Sequence, residues 1–359
     1  MNFRCKNISE SLFNSSVLRC EFEKCTRMLK HNNYTTIYVF LVINGLAIVV
    51  ANILVFFLFK QNSFLRKKQN FLLVSLAASD LLAGTLTVPL IILCQNHSGV
   101  EFCVAMDTCT RFLAVSTLLH LLTATIERFV KIVKPFHYNV YVTECRSMTA
   151  LAAVWSLSFA TAIIQLFWID LDASEEKQQQ LKQVELVYSS ACLVLFVLFP
   201  FICITVLHSL LLNAIWKGEK TLRLLSMPKR SRKRSKRKEK ERKAAVVLMT
   251  MTGTYFVGWF PYFFMSVVND VYNGAVVIPL WLNVLLLFLK LNTALINPLL
   301  YTFFKTDFTT ALKITIQKYK NRKFPTFFIN KKLSTSLKRK RKKFTTKETE
   351  LKTVCRKDI

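Results

Sequence analysis

The sequence predicts an all-α membrane protein built as a bundle of seven transmembrane helices. Seven apolar runs are each long enough to cross a bilayer, which takes about 20 residues at 1.5 Å per residue. Hydrophobic residues make up 52% of the 359 residues, while Gly and Pro number only 7 and 8. No run alternates apolar and polar residues as a barrel strand does, so helices are the spanning structure that satisfies every backbone polar group.

The elements follow in chain order. The apolar runs lie at 36–59, 70–94, 104–133, 147–169, 186–213, 244–268 and 278–304. The run 306–319 is amphipathic and predicts an eighth, short helix along the inner membrane face. The predicted organisation is an extracellular glycosylated tail (1–35), the bundle (36–304), the amphipathic membrane-surface helix (305–319) and a basic disordered cytoplasmic tail (320–359).

Two independent signals orient the bundle with its N-terminus outside. Glycosylation sequons begin at Asn7, Asn14, Asn33 and Asn96, all in the N-terminal tail or the second-to-third helix loop. Lys and Arg cluster in the loops 60–68, 128–146 and 217–243 and in the C-terminal segment, whereas the loops 95–103 and 269–278 carry none. The positive-inside rule therefore places the C-terminus in the cytoplasm, and we expect a multi-pass plasma-membrane protein.

The net charge of +29 indicates a membrane-surface partner. The largest basic blocks sit beside helix ends on the predicted cytoplasmic side, where anionic lipid headgroups attract them and nucleic acid is not needed as an explanation. The chain shows no metal-ligand spacing, no Gly-rich phosphate loop and no nucleophile with a partnered base. We therefore expect neither an enzyme nor a nucleic-acid-binding protein.

Each apolar run carries its own characteristic residue or short motif. The first run holds Asn52, the second Asn70 and Asp80, the third runs from Cys103 to Glu127-Arg128-Phe129, the fourth holds Trp155, the fifth Pro200, the sixth Trp259-Phe-Pro261, and the seventh Asn297-Pro298-Leu-Leu-Tyr301 followed by Phe308. Together and in this order, from about residue 36 to 319, they resemble the rhodopsin-like (class A) G-protein-coupled receptors. The resemblance implies a receptor that passes an extracellular signal to a heterotrimeric G protein.

The charged pair Glu127-Arg128 at the inner end of the third helix is the strongest functional candidate, because a charge at membrane depth is costly. Glu241 lies 20 residues before Pro261, about 30 Å along a helix and so at the cytoplasmic mouth. The resemblance implies that Glu127 and Glu241 hold Arg128 at rest, and that outward movement of the sixth helix releases it, with Tyr301 also on the G-protein side. Alternatively, Glu241 only belongs to a solvated charged run.

Asp80 is a lone carboxylate in the apolar middle of the second helix, where it must be protonated, paired or bound to a cation. Asn52, Thr117 and Asn297 are plausible neighbours. In the resembling family such a cluster holds water and a sodium ion, so a sodium site at Asp80 is one expectation. The alternative is a hydrated polar network without a specific ion.

Three prolines within helices indicate points where the bundle can bend. Pro200, Pro261 and Pro298 each remove a backbone donor and weaken their helix locally. The resemblance implies that they, with Trp259 and Asn297, belong to a conformational switch.

The sequence says less about the ligand-binding side of the bundle. Thr110 lies five turns before Arg128 on the same face of the third helix and should point into the bundle. The resembling amine receptors carry an aspartate there. Asp107 could substitute for it, although Arg111, four residues further on, can neutralise Asp107 as an i,i+4 pair. We expect Asp107, Thr110 and Trp259 near the ligand and leave amine, anionic or lipid, and peptide ligands open.

Lys290 lies seven residues before Asn297, almost on the same helix face, and is predicted to point inward. Resembling light sensors hold retinal on a lysine one position away, so an opsin-like photoreceptor is an alternative, though a rotation of about 100° per residue makes retinal unlikely. A free lysine would favour an anionic ligand. Internal pairing of Lys290 with Asp107 or with backbone carbonyls is the remaining interpretation.

Some positions depart from the family pattern. His208, Gly258 and Tyr255 replace the residues usual at their places, and the loop 169–186 has no cysteine to pair with Cys103. Its partner stays open among Cys5, Cys20, Cys25 and Cys94. The competing function class, a seven-helix transporter, is disfavoured by the absence of internal repeats and of Gly-interrupted half-helices.

Overall fold

The protein is described by a computed structural model over residues 32–96, 100–167, 175–224, 228–272 and 278–323. Within these ranges seven helices are long and apolar enough to cross a membrane, and no strand occurs. The predicted seven-helix fold is confirmed. Several expectations fall outside the described residues: those on Asn7, Asn14, Cys5, Cys20, Cys25, the side chains of Asn33 and Asn96, and the segment 324–359.

The spans are numbered here in chain order. They are α1 (Asn32–Gln61), α2 (Lys68–Leu82, a π-helical turn at Ala83–Thr87, and Val88–Asn96), α3 (Val100–Val133), α4 (Glu144–Ile164), α5 (Glu175–Leu193, a π-helical turn at Val194–Leu198, and Phe199–Leu224), α6 (Pro228–Val271) and α7 (Leu280–Phe304). Short helices at Ser63–Leu65 and Tyr138–Tyr141 lie between spans, and Gln165–Phe167 extends α4.

Two spans begin well before the apolar run that predicted them. The fifth run was expected from 186, with a loop before it, yet α5 begins at Glu175, so the predicted loop 169–186 is wrong from residue 175 onward. Its first residues, rich in Glu, Gln and Lys, are good helix formers that hydropathy does not detect. Likewise α6 begins at Pro228, and proline suits the first turn of a helix.

Helix α3 is the centre of the bundle and the most buried of the spans. It packs against α2, α4, α5 and α6, while α7 packs against α6 and α1. Polar side chains on α3 are therefore enclosed on several sides, which places its titratable residues where neighbouring helices must supply their partners. This position makes α3 the axis on which both candidate site regions are built.

Prolines explain where two spans depart from regular α-helix. Each π-helical turn ends two residues before a proline, Thr87 before Pro89 and Leu198 before Pro200. A proline lacks the N–H that would close the preceding turn and its ring crowds the carbonyl four residues back, so the turn widens. Pro261 and Pro298 lie inside α6 and α7, which remain continuous helices.

A further helix, α8 (Thr306–Lys323), follows α7 and extends four residues beyond the predicted 306–319. The chain divides into two compact units, the first ending at Ala311 and the second beginning at Leu312. The first turns of α8 thus belong to the unit that contains the bundle. Its predicted position on the membrane surface stays a prediction.

Candidate functional site

A buried charged cluster lies at the end of the bundle predicted to be extracellular. The Asp107 carboxylate accepts a hydrogen bond from Arg111 Nε at 2.9 Å and another from the Tyr262 hydroxyl at 2.7 Å. Arg111 also reaches Glu185 Oε1 at 3.4 Å, and its guanidinium lies 4.9 Å from the centre of the Tyr188 ring. Both oxygens of Asp107 are thus engaged, and the i,i+4 contact expected with Arg111 is present.

Glu185 is a member of this cluster that the sequence did not single out. It lies 8% exposed on α5, and Gln165 at the end of α4 donates a hydrogen bond to it at 3.3 Å. Because residues 169–186 were assigned to a loop, no face of a helix could be assigned to Glu185. A propensity argument for the polar start of α5 would have found it.

A water-sized cavity lies inside the bundle, below this cluster. Its lining comes from α2, α3, α6 and α7 and includes Asp80, Thr87, Thr110, Thr117, Trp259, Lys290 and Thr293. Lys290 is 2% exposed, and its ammonium lies 4.3 Å from the centre of the Tyr262 ring. Among the described residues the ammonium has no hydrogen-bond partner, and the charge of Asp107 acts on it without a direct hydrogen bond.

Trp259 connects α6 to the backbone of α7. Its indole N–H donates to the Thr293 hydroxyl at 3.1 Å, and that hydroxyl donates to the carbonyl of Lys290 at 2.7 Å. One turn earlier on α6, the Tyr255 hydroxyl donates to the carbonyl of Ala114 on α3 at 3.0 Å. The aromatic face of α6 is thus attached to both neighbouring helices beside the cavity.

Gly258 allows this close approach of α6 and α7. A Cβ atom at this position would lie 2.7 Å from Thr293 Cγ2 and 2.9 Å from the backbone oxygen of Leu289. The departure from the family pattern at Gly258 thus has a packing reason, because a larger residue would push α6 off α7.

Asp80 lies at the inner end of the same cavity. Asn297 donates to Asp80 Oδ2 at 3.1 Å, which joins α2 to α7. Asn52 instead donates to the carbonyls of Ile48 and Ala294, at 2.9 and 3.2 Å. Thr117 lines the cavity with Asp80. Of the expected four-helix cluster, Asp80 and Asn297 thus form a direct pair, Thr117 lines the same cavity, and Asn52 bonds to backbone carbonyls instead.

The opposite end of the bundle holds an ion-pair network centred on Glu241. Arg128 Nη1 lies 2.7 Å from Glu241 Oε2, and Lys131 Nζ lies 3.1 Å from Glu241 Oε1. Lys131 also donates to Gln69 Oε1 at 2.7 Å. The Arg128 and Glu241 side chains are only 8% and 14% exposed, so this is a desolvated contact between α3 and α6 rather than a solvated surface pair.

Glu127 has a different partner from the one expected. The sequence assigned it to Arg128, whereas its carboxylate accepts a hydrogen bond from the Tyr138 hydroxyl. Within the described residues the ion pair of Arg128 is with Glu241. Burial and the Glu127 contact raise the pKa of the Tyr138 hydroxyl, because both disfavour the phenolate. Tyr138 belongs to a short loop helix, and apolar periodicity gives no indication that this loop folds back on α3.

A second group of charges at this end was not found from the sequence. Asp307, at the start of α8, accepts a hydrogen bond from Lys240 of α6, and Lys67 lies 3.7 Å away. Burial would raise the pKa of Asp307, but the hydrogen bond and the positive charges of Lys240, Lys67 and Lys305 outweigh it and lower that pKa. The sequence feature that could have indicated these contacts is an acid immediately after the last span, on the same predicted side as a strongly basic loop.

Lys305 joins the end of α7 to the start of α2. It is 4% exposed and donates to Asn70 Oδ1 at 2.6 Å. Burial lowers the pKa of Lys305 well below its usual range, and the charge of Arg128 adds to the effect. Tyr301 nearby is fully buried, and its ring centre lies 5.2 Å from the ring centre of Phe308. The Tyr301 hydroxyl has no hydrogen-bond partner in the described part of the chain.

The partner of Cys103, left open by the sequence, is Cys94. The disulfide joins the last turn of α2 to the first turn of α3 across a separation of nine residues. Cys109, Cys145, Cys192 and Cys203 are free thiols.

The described residues thus form a bundle of seven helices that are long and apolar enough to cross a membrane, with a buried charged region at each end. Comparison with known proteins agrees: residues 51–301 match the seven-transmembrane receptor (rhodopsin family) model, and the chain belongs to this family. It is similar to the histamine H2 receptor of Rattus norvegicus, at 29% identity over 77% of this chain and 78% of the relative.

Other relatives are at comparable distance. The histamine H2 receptor of Homo sapiens is 26% identical over 77% of this chain and 78% of its own. The adenosine receptor A2a of Canis lupus familiaris is 26% identical over 76% of this chain and 69% of its own. These relatives are receptors rather than enzymes or transporters, and the family match gives the transporter alternative no support.

Proposed function

We propose that this protein is a plasma-membrane receptor that converts the binding of an extracellular ligand into activation of a heterotrimeric G protein. The observation that carries the proposal is the Arg128–Glu241 ion pair of 2.7 Å between α3 and α6. In the resting state this contact keeps the Arg128 guanidinium from an intracellular partner. Activation moves α6 outward, separates the pair and exposes Arg128, with Tyr301 on the same side of the bundle.

Because α6 is long, a small tilt is enough to move its inner end away from α3. Glu241 lies 20 residues before Pro261, a lever of about 30 Å. A tilt of about 10° at a proline-weakened point displaces the inner end by about 5 Å, enough to break a hydrogen-bonded pair. Lys131 also binds Glu241, so the resting contact has two cations on one carboxylate.

Ligand binding is assigned to the outer half of the bundle. Asp107, Thr110, Trp259 and Lys290 are the proposed binding residues, and Trp259 passes the signal to α6 together with Pro200, Pro261, Asn297 and Pro298. The similarity to histamine and adenosine receptors favours a small ligand over a peptide. The water-sized cavity beside Lys290 gives the opsin-like alternative no support.

Two further assignments remain proposals. A sodium ion would be held by the carboxylate of Asp80, with oxygen atoms of Thr117 and Asn297 and with Asn52 close by, since hard cations take oxygen ligands. The basic cytoplasmic segments would bind anionic lipids, and the sequons at Asn7, Asn14, Asn33 and Asn96 would carry glycans on the outer side.

The test removes one partner of the resting pair. Glu241→Ala should raise ligand-independent nucleotide exchange on G protein, because the resting state loses about 1–2 kcal/mol, which shifts the equilibrium by about five- to thirtyfold. Glu239→Ala is the matched control, since Glu239 pairs with Lys243 on the exposed face of the same helix and should leave basal exchange unchanged.

The measurement compares exchange rates at equal surface expression, with a panel of G-protein subtypes. Arg128→Leu in the Glu241→Ala background should abolish the raised exchange. Basal exchange that is the same in Glu241→Ala and wild type, across all subtypes, would contradict the proposed resting contact.

A further inference from the structure

The hydroxyl group of Tyr255 on α6 is bonded to the backbone of α3 in the interior of the bundle. Tyr255 is 1% exposed and donates to the carbonyl oxygen of Ala114 at 3.0 Å. That carbonyl also accepts the regular α-helical bond from the amide four residues further on, since a carbonyl oxygen has two lone pairs. If the two helices separate at this point, the carbonyl keeps a partner, whereas the buried hydroxyl loses this one.

Tyr255 lies on the part of α6 that moves in the proposed activation. It stands six residues before Pro261, which is about 9 Å towards the inner end of the helix. A tilt of about 10° at Pro261 carries this point about 1.5 Å away from α3. Added to a contact of 3.0 Å, that displacement takes the Tyr255 hydroxyl beyond hydrogen-bonding distance of the Ala114 carbonyl.

A second tyrosine bonds α6 to α3 on the other side of Pro261. Tyr262 donates to Asp107 Oδ1 at 2.7 Å. Tyr262 lies seven residues after Tyr255, and Asp107 lies seven before Ala114, so the two bonds stand about 10 Å apart along both helices. Because Tyr262 is next to Pro261, the same tilt moves it by only about 0.3 Å. The outer bond therefore persists in a movement that breaks the inner one.

The threonine hydroxyls between Glu241 and Tyr255 do not bond α6 to another helix. Thr250, Thr252 and Thr254 donate instead to carbonyl oxygens of α6 itself, at 2.9 to 3.0 Å. Glu241 and Tyr255 are 14 residues apart, about 20 Å along the helix, and each bonds to a different part of α3. The contact at Tyr255 is thus separate from the ion pair at the inner end.

We propose that the Tyr255 hydroxyl forms a second resting contact between α3 and α6, which must break when the receptor is activated. The inference rests on the proposed receptor function, because it names a regulatory residue of the same movement. The Tyr255 ring stacks on Trp259, with ring centres 6.1 Å apart and planes 24° apart. A ligand that shifts Trp259 therefore displaces Tyr255 and weakens its bond to Ala114. Tyr255 is a positioning residue, since it acts through α6.

The experiment measures ligand-independent nucleotide exchange by the full chain at equal surface expression, with the same panel of G-protein subtypes. Tyr255→Phe removes only the hydroxyl and should raise exchange about two- to tenfold, the shift that one hydrogen bond supplies. Thr252→Val is the matched control, because it removes a buried hydroxyl that bonds within α6, and it should leave exchange unchanged. The Tyr255→Phe/Glu241→Ala double variant should show the product of the two single increases, since the contacts are distant and share no partner.

Exchange that stays at the wild-type rate in Tyr255→Phe but rises in Glu241→Ala would overturn the inference and leave the proposed function standing. An equal rise in Thr252→Val would also overturn it, because the loss of any buried hydroxyl of α6 would then have the same effect. A hydroxyl with a merely structural role would lower the melting temperature of purified Tyr255→Phe without raising exchange per receptor, and that result would overturn it too. Unchanged exchange in both Tyr255→Phe and Glu241→Ala would refute the proposed function itself.

Discussion

Single residues decide how closely α6 approaches α7. Gly258 sits against the backbone oxygen of Leu289, where a Cβ would be 2.9 Å away, and backbone atoms cannot yield as a flexible side chain does. Gly253, five residues earlier on the same helix, has no atom within 4 Å of the corresponding Cβ position. The two glycines therefore form a natural pair for separating helix propensity from packing.

Gly258→Ala should destabilise the protein by about 1–3 kcal/mol, because the added methyl group overpacks the α6–α7 contact. Gly253→Ala should be neutral or stabilising by up to about 1 kcal/mol, since alanine is the better helix former. Thermal melting of the two purified variants checks this. A Gly258→Ala protein as stable as Gly253→Ala would mean that α6 and α7 are not in close contact at this point.

At the same scale, some side-chain partners could be predicted from the sequence and others could not. The Arg128–Glu241 pair was predicted from the family resemblance, and the spacing of 20 residues from Pro261 placed Glu241 at the cytoplasmic mouth. The Glu127–Tyr138 contact could not, because Tyr138 lies in a loop whose path is set by tertiary packing. The Asp107–Arg111 contact was accessible from i,i+4 spacing alone.

Among the helices, α6 is held at its inner end by two separate sets of ion pairs. Glu241 of α6 binds Arg128 and Lys131 of α3, while Lys240 of α6 binds Asp307 at the start of α8. The adjacent residues 240 and 241 thus connect α6 to two different neighbours. Outward movement of α6 must break both contacts.

Asp307→Asn should therefore also raise ligand-independent nucleotide exchange. The Lys240 side chain is 41% exposed, so the pair contributes about 1 kcal/mol at most and its loss shifts the equilibrium by no more than about fivefold, less than for Glu241→Ala. Lys67→Gln removes a different cation near Asp307 without touching α6 and should leave exchange unchanged. Exchange raised equally by Lys67→Gln would show that Asp307 acts through folding of α8, not through α6.

The number and order of the spans followed from hydropathy, but the ends of the helices did not. The polar start of α5 and the 44-residue length of α6 extend beyond any apolar run. These extensions carry Glu185 and Lys240, which is why both residues escaped the sequence argument. In the described residues π-helical turns precede Pro89 and Pro200 but not Pro261 or Pro298, so proline position alone does not indicate where a span departs from regular pitch.

For the whole molecule, the connection of α2 to α3, which is predicted to be extracellular, determines how that end of the bundle is fixed. The sequence left four possible partners for Cys103, since cysteine pairing cannot be deduced from sequence alone. Three of those partners lie in the tail, which would have attached that tail across the bundle mouth. The Cys94–Cys103 disulfide instead connects the end of α2 directly to the start of α3.

Replacing both Cys94 and Cys103 by Ser should lower stability by about 2–3 kcal/mol, the entropy expected for cross-linking a loop of this length. Reduction should lower the melting temperature of the wild type to that of the double variant and leave the double variant unchanged. Cys109→Ser, which alters a free thiol on α3, is the control and should melt as the wild type does. Cys94→Ser alone should leave Cys103 as a free thiol, which peptide mapping detects. If Cys103 of that variant were bonded to a tail cysteine and its melting temperature were unchanged, the connection between α2 and α3 would not be what fixes the outer ends of the bundle.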